Sequence, residues 1–501
     1  MDTTPPAQSR TPWIVALTVT LATFMEVLDT SIANVALPHI AGNLSASVTE
    51  STWVLTSYLV ANAVVLPLSG WLSSLLGRKN FYMACVALFT ASSVLCGFAP
   101  TLGWLVFFRV LQGLAGGGLA PTEQAILADT FPPSQFGMAM AIYGMAVVTA
   151  PILGPTLGGW ITDNVSWRWI FFINVPVGVV SLLMTSRLVS DPPGFKRVDT
   201  SKGFKFDAAG LGLIAVGLAS LQIVLDKGQE ADWFGSAYIV VLSVVAVAAL
   251  IGAVVWELRV EDPVVDLRLL GERNFASAIV FMLILGAVFN GSTVLMPQFL
   301  QGLMGYTATA AGLAMSPGGF MLVVMMPVAG FLVSKVQPRW LIAAGFSLVA
   351  ASMVLSRGLT LGIDMRYVIM TRLVFSLGGP LIFIPINVAA YAFVPKGKNN
   401  SASGLINLAR NLGASFGIAG LGTMIERRAQ FHQTVLVSHL TPFDAAARAP
   451  LAGLYGLVQQ QAALLSYADG FQILALGSML VVPLVLLLKD VQAGQAEVPV
   501  H

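Results

Sequence analysis

Charge is what this chain has least of. Asp, Glu, Lys and Arg make up 10% of its 501 residues, while 56% are hydrophobic and the mean hydropathy is +0.81. A soluble domain carries about 25% charged residues, so the composition excludes a chain that clothes itself in water. Cysteine is nearly absent as well. Cys85 and Cys96 fall on one predicted helix, about 16 Å apart, and cannot bridge each other, so no disulfide framework exists. No GxxxxGK[ST] stretch occurs, which excludes an ATP-binding P-loop as a source of work. No Cys/His cluster has metal-ligand spacing, so no metal, cofactor or enzymatic centre is expected. Of the four histidines, His39 sits at a helix exit, His432 and His439 in a connecting segment, and His501 at the end. None lies mid-membrane, so any proton carrier there must be a carboxylate. The net charge of +2 gives no reason to expect a nucleic-acid partner.

What the chain does have is apolar runs. About fourteen satisfy the twenty-residue length needed to span a membrane. They lie near residues 13–36, 53–72, 80–98, 102–127, 137–161, 168–188, 207–225, 237–257, 275–297, 307–334, 340–358, 366–393, 400–425 and 470–488. The first run contains Glu26 and Asp29, and it is too long for a signal peptide. Lys and Arg are unequally shared between alternate connections, about sixteen on the side of Arg78–Lys79 and about seven on the other. The positive-inside rule therefore predicts a cytoplasmic membrane protein with both termini cytoplasmic.

The chain also reads as internally repeated. Arg109 opens RVLQGLAGGGLAP in the fourth span, and Arg372 opens RLVFSLGGPLIFIP in the twelfth. Parallel repeats of this kind build many transporters, with the substrate site between the halves. The match predicts six-helix bundles at 1–190 and 258–490, joined by a polar cytoplasmic linker at 191–206 and an inserted helix pair at 207–257. A tail follows at 491–501. One outer segment, 427–469, is long and holds LAGLYGLVQQQAALL, which reads as a short amphipathic helix. It is either a solvated loop or a docking element.

Charges within hydrocarbon cost at least about 2.5–3.5 kcal/mol each, so they are candidate functional residues. Glu26 and Asp29 are three residues apart on one helix face. Asp29 lies about 12 Å below the outer surface and Arg109 about 10 Å. Opposite charges at matched depth form either a protonation switch or a fixed ion pair that docks two helices. Glu123 follows Arg109 on the same stripe, as a second acid, a gate residue or a hydrated carboxylate. Arg410 and Arg372 lie inside spans of the second half, where each meets an anionic ligand or caps backbone carbonyls. Phe24, Met25, Trp53, Tyr58, Tyr143, Met145, Phe289, Met296 and Phe299 either line an adaptable cavity or pack the core.

In the fifth span, APILGPTLGGW (Ala150 to Trp160) joins Pro151 and Pro155, which delete helix hydrogen bonds, to the small-xxx-small pair Gly154 and Gly158. Together with Gly144 and Gly159 these suit either tight packing or a moving seam between bundles. GPTLGG resembles the antiporter signature of major facilitator superfamily exporters. LDTSIANVALP (Leu28 to Pro38), FFRVLQGLAGG around Arg109 and GWLSSLLGRK (Gly70 to Lys79) extend the resemblance over nearly the whole chain. The sequence is identified as similar to the fourteen-helix drug:H+ antiporters of the EmrB/QacA type, and to their EmrB-like subgroup in particular.

That resemblance implies a major facilitator fold with about 14 transmembrane helices. It implies proton-coupled efflux of hydrophobic or amphipathic drugs by alternating access, driven by the proton gradient. Asp29 and Arg109 become the proton-coupling pair, with Glu26 added from the shared face. Gly70, Gly77, Arg78 and Lys79 become a latch on the cytoplasmic side, although Ser74 stands where the family has an Asp. The long outer segment matches EmrB-like members that work with a periplasmic adaptor and an outer-membrane channel. Two other readings stay open, an exporter of one metabolite or siderophore and, in a different class, a channel or membrane receptor. The repeat, the glycine-faced helix and the lack of repeated charge rings argue against a channel.

Overall fold

The computed structural model describes residues 12–191, 207–261, 263–395, 397–439 and 451–490. Apart from Asp191, the expected linker at 191–206 lies outside the described residues. So do the tail 491–501 and residues 440–450 of the long outer segment. Among the described residues the long elements are helices α1 (Pro12–Asn43), α2 (Trp53–Leu76), α3 (Arg78–Gly97), α4 (Leu102–Thr130) and α5 (Pro133–Asn164). Next come α6 (Trp169–Leu188), α7 (Ala208–Lys227), α8 (Ala237–Arg259) and α9 (Arg273–Leu303). The last five are α10 (Ala308–Leu332), α11 (Pro338–Arg357), α12 (Met365–Tyr391), α13 (Asn399–Ser438) and α14 (Leu451–Leu484).

Local chemistry sets the helix ends. Side chains of Thr101, Asp207, Glu272, Thr307 and Asp364 each accept a hydrogen bond from a backbone N–H of the first turn that follows. Gly77 turns α2 into α3 at φ +87°, a conformation that glycine adopts without strain. Among the described residues, thirteen helices are long and apolar enough to cross a membrane. The fourteenth, α13, is as long but more polar. Asn400, Ser403 and Asn407 are buried against neighbouring helices, so its polarity points into protein and not into lipid. The chain is a multi-pass membrane protein.

Two seams bring early and late helices together. Along one, α5 packs on α10: a Cβ on Gly330 would lie 2.9 Å from the carbonyl oxygen of Gly137. Along the other, α2 packs on α13, and a Cβ on Gly404 would lie 2.6 Å from the Leu66 carbonyl oxygen. Both crossings lie toward the helix ends that carry Arg78 and Lys79, here termed the basic end. α7 and α8 pack along each other, and α7 also touches α2 and α13. α8 turns Val241, Val244, Val247, Ile251 and Val254 outward, an apolar stripe for lipid.

The stretch read as a long outer loop is mostly helix. α13 extends without a break to Ser438, and LAGLYGLVQQQAALL is the first part of α14 instead of a separate short helix. At 1.5 Å per residue α13 is about 60 Å long, twice a hydrocarbon core of about 30 Å. Asp469 on α14 ties the two extensions together, accepting from Arg428 Nε at 2.6 Å and lying 2.8 Å from His432 Nε2. Ala, Leu and Gln favour helix over loop, and this cross-link gives the paired helices a polar anchor.

Candidate functional site

The site is built on α1, which sends consecutive polar residues to different neighbours. Asp29 points at α4 and α6. Its Oδ2 lies 2.5 Å from Arg109 Nη1, and its Oδ1 accepts from Asn174 Nδ2 at 2.6 Å and Gln112 Nε2 at 3.2 Å. Arg109 donates further to Gln112 Oε1 at 2.8 Å and, through Nε, to the Val54 carbonyl at 3.0 Å. Both partners are buried, at 1% and 0% exposure. The matched depth read from the sequence thus corresponds to a direct contact. Asn174 also donates to Ser93 Oγ at 2.9 Å, which fixes the amide that holds Asp29.

Glu26 turns toward α2 and a separate space. Its Oε1 accepts from Asn62 Nδ2 at 2.9 Å and Tyr58 OH at 3.1 Å. The Tyr58 ring lies under the Arg109 guanidinium at 4.4 Å, so one side chain touches both the ion pair and Glu26. Glu26, Thr23, Asn62, Tyr143, Asn407 and Arg410 line a cavity of about 160 Å³. Arg410 thus supplies a cation to the cavity that Glu26 supplies with an acid. Of the aromatic and methionine candidates, Tyr58 and Tyr143 line this space, whereas Met25, Met296 and Phe299 belong to the packed core.

Glu123 is no hydrated carboxylate at a helix end. It is fully buried, and its two oxygens accept from the hydroxyls of Thr20, at 2.6 Å, and Thr23 on α1. Next to it, Gln124 accepts from Ser403 Oγ at 3.0 Å and Asn407 Nδ2 at 2.8 Å, crossing to α13. Arg372 donates to the carbonyl and hydroxyl of Ser292 at 2.7 and 2.9 Å. It therefore docks α12 on α9, the backbone-capping role, and does not line the cavity.

The glycine motif divides between two interfaces. A Cβ on Gly144 would meet Met326 Sδ of α10 at 2.7 Å, on the seam. Gly154 and Gly158 instead face α1: a Cβ on Gly158 would lie 2.8 Å from Ile32 Cγ2 and 3.2 Å from its Cα, and Gly154 abuts Ser31. Pro151 and Pro155 are exposed, and Gly159 has open space around it. The small-xxx-small pair is thus a packing surface for α1, not the seam itself.

At the basic end, Gly70 packs against Ser401 of α13, and Arg78 is buried in an ion pair with Asp129. Asn399 of α13 donates to Asp129 at 2.6 Å, so the cluster joins α3, α4 and α13. Asp129 is the acid here where the loop motif offers only Ser74. Lys79 binds the Ser186 carbonyl through Nζ at 2.7 Å, and its N–H donates to Asp191 at 2.8 Å.

Residues 19–418 match the family described as Major Facilitator Superfamily. The chain belongs to the major facilitator superfamily. Within the superfamily it is EmrB-like. It is 40% identical over 453 residues to multidrug export protein EmrB of Escherichia coli (strain K12), an alignment covering 90% of this chain and 87% of that one. It is 39% identical over 445 residues to fatty acid resistance protein FarB of Neisseria gonorrhoeae, covering 89% and 87%. Solved major facilitator structures share the fold: the human organic anion transporter MFSD10 (TM-score 0.61, 13% identity, 94% of this chain and 100% of that) and the proton:xylose symporter XylE (0.60, 16%, 94% and 96%).

Sequence reasoning missed the supporting residues Asn62, Gln112, Asn174, Thr20, Thr23 and Asp129. The available signal was spacing. Tyr58 and Asn62 are one turn apart on α2, and Thr20, Thr23 and Glu26 recur every third residue on α1. The glycine contacts give a testable contrast. Gly158→Leu forces backbone and branched atoms of α1 apart and should destabilise the protein by about 1–3 kcal/mol. Gly144→Ala meets only a flexible methionine and should leave the thermal midpoint in detergent near that of the wild type. Equal midpoints for Gly158→Leu and the wild type would show that α1 does not rest on this face.

Proposed function

We propose that this chain is a proton-coupled multidrug exporter of the cytoplasmic membrane, with both termini cytoplasmic. Six-helix bundles α1–α6 and α9–α14 move about a cavity between them, and α7–α8 form an inserted pair. The observation that carries the reading is the sealed Asp29–Arg109 pair on the same helix as a cavity-facing Glu26. A proton on Asp29 removes the charge that Arg109 answers, and the freed guanidinium pulls on Tyr58 and the Val54 carbonyl of α2. Tyr58 passes the change to Glu26, where a cationic drug and a proton compete for one carboxylate. The Arg78–Asp129–Asn399 cluster and the glycine crossings hold the basic, cytoplasmic end shut while the other end admits protons and releases drug.

Relatives named for multidrug export and fatty acid resistance support a broad substrate range of hydrophobic and amphipathic compounds. Arg410 and Glu26 in one cavity suit head groups of either sign. In proteoliposomes with an imposed pH gradient, Asp29→Asn and Arg109→Ala should abolish drug counterflow although the protein inserts. Glu26→Gln should retain neutral substrates and lose cationic ones. Wild-type counterflow by folded Asp29→Asn protein would remove the coupling assignment.

The paired extensions of α13 and α14 are the proposed dock for a periplasmic adaptor that passes drug to an outer-membrane channel. They expose Phe431, Val437, Tyr455 and Leu457, apolar side chains beyond the length a membrane requires. Replacing Leu451–Leu465 with a Gly/Ser linker should abolish resistance in cells but spare export by proteoliposomes. Undiminished resistance, with no adaptor captured by a photo-cross-linker at Tyr455, would exclude docking there.

A further inference from the structure

Beyond the Glu26 cavity, away from the basic end, lies a larger space of about 390 Å³. It is walled by Gln222 and Asp226 of α7, Val294 and Gln298 of α9, and Ser415 and Ile418 of α13. Leu59 of α2 lines both spaces, and Asn411 of the inner one is a single helical turn from Ser415 of the outer one. Size separates them. Pockets for drug-sized ligands run about 300–1,000 Å³, a range that the outer space reaches, whereas the inner one, at about 160 Å³, has room for a charged head group.

The chemistry of the walls is one-sided. Asp226 and Glu230 are the charged residues lining the space, and no Lys or Arg is among the lining residues. Lys227, outside the lining, binds the Thr52 hydroxyl and pairs with Glu230 Oε2 at 3.0 Å, which answers Glu230 and leaves Asp226 as the acid without an ion pair of its own. Asp226 meets a hydroxyl, that of Thr56, and no ion pair among the described residues. Gln222 and Ser415 hydrogen-bond each other at 3.0 Å across the rim, which fixes α7 to α13. A carboxylate hydrogen-bonded to a hydroxyl, with the neighbouring cation Lys227 engaged by Glu230, and set among Val, Leu and Ile, fits a cation whose charge is spread over an apolar body and that has no hydrogen-bond donors to satisfy.

We propose that this space is a second ligand compartment, specific for lipophilic organic cations and lying between the Glu26 cavity and release. α7 is its outer wall, which assigns the inserted helix pair a part in recognition. The inference rests on the drug-export reading for its place on a route, but binding can be measured without transport.

The test is equilibrium binding of radiolabelled tetraphenylphosphonium to the purified full-length protein in nanodiscs. Asp226→Asn keeps the size of the side chain and the acceptor for Thr56 while removing the charge. Ala419→Phe fills the compartment with an apolar group. Each should weaken binding about tenfold or more, and Asp226→Glu should restore it. Wild-type affinity in both Asp226→Asn and Ala419→Phe would overturn the proposal, as would no binding by the wild type. Parallel export assays separate the two readings. Export of the cation with unaltered binding in both variants removes the compartment and leaves the exporter. Asp226-dependent binding without any export removes the exporter and leaves the site.

Discussion

A buried ion pair sets the terms for the first half of this structure. Asp29 and Arg109 lie well inside the helices, and each isolated charge at such depth would cost at least about 2.5–3.5 kcal/mol. Much of the cost is offset by ligation: Gln112, Asn174 and the Val54 carbonyl add hydrogen bonds, and the Tyr58 ring lies under the guanidinium, although Arg109 Nη2 has no hydrogen-bond partner among the described residues. The set draws on α1, α2, α4 and α6, so these hydrogen bonds tie four helices together. Removing one partner from a buried pair typically costs about 3–5 kcal/mol, because the other charge is stranded. On the proposed reading, a proton on Asp29 strands Arg109 in this way, and the pair then serves a device that changes shape.

The second constraint is close approach of backbones. Gly137 with Gly330, Gly70 with Ser401 and Gly404 with Leu66 let the two sets of helices touch at the basic end. Toward the other end of α5, Gly154 and Gly158 bind it to α1 while its remaining faces are exposed. α5 is thus held to α1 along one part of its length and to α10 along another. A shift of α1 on protonation would be transmitted by α5 to the seam, since the small residues leave no slack between them. The polar face of α13 completes the seam, and Gln124 and Asp129 engage it from α4.

Much of the fold was legible because lipid imposes so simple a rule. Twenty apolar residues bounded by charge gave the spans, and depth along two helices paired Asp29 with Arg109 before any contact was seen. Direction around a helix was less legible. Gly154 and Gly158 fit either a moving seam or a static surface, because spacing reveals a face but not its partner. The sequence leaves Glu123 open between a second acid, a gate residue and a hydrated carboxylate, because the threonines that bind it lie about a hundred residues earlier in the chain. The extensions of α13 and α14 were hidden by composition. Their charges and glutamines mark departure from lipid, which is also how a loop reads, and only helix propensity distinguishes the two. α13 is the most polar of the spans because a polar face, with Asn400, Ser403 and Asn407, turns into the protein.

The account stands on competition between a proton and a cationic ligand for Glu26, linked through Tyr58 to protonation of Asp29. Proton release is its most direct measure. Purified protein in weakly buffered detergent solution at mildly acidic pH is mixed with tetraphenylphosphonium while a pH indicator is followed. The account predicts that the wild type releases protons on binding and that the Glu26→Gln/Asp29→Asn double variant releases none. Release from that variant equal to the wild type's would contradict it, because the exchanging protons would then reside elsewhere.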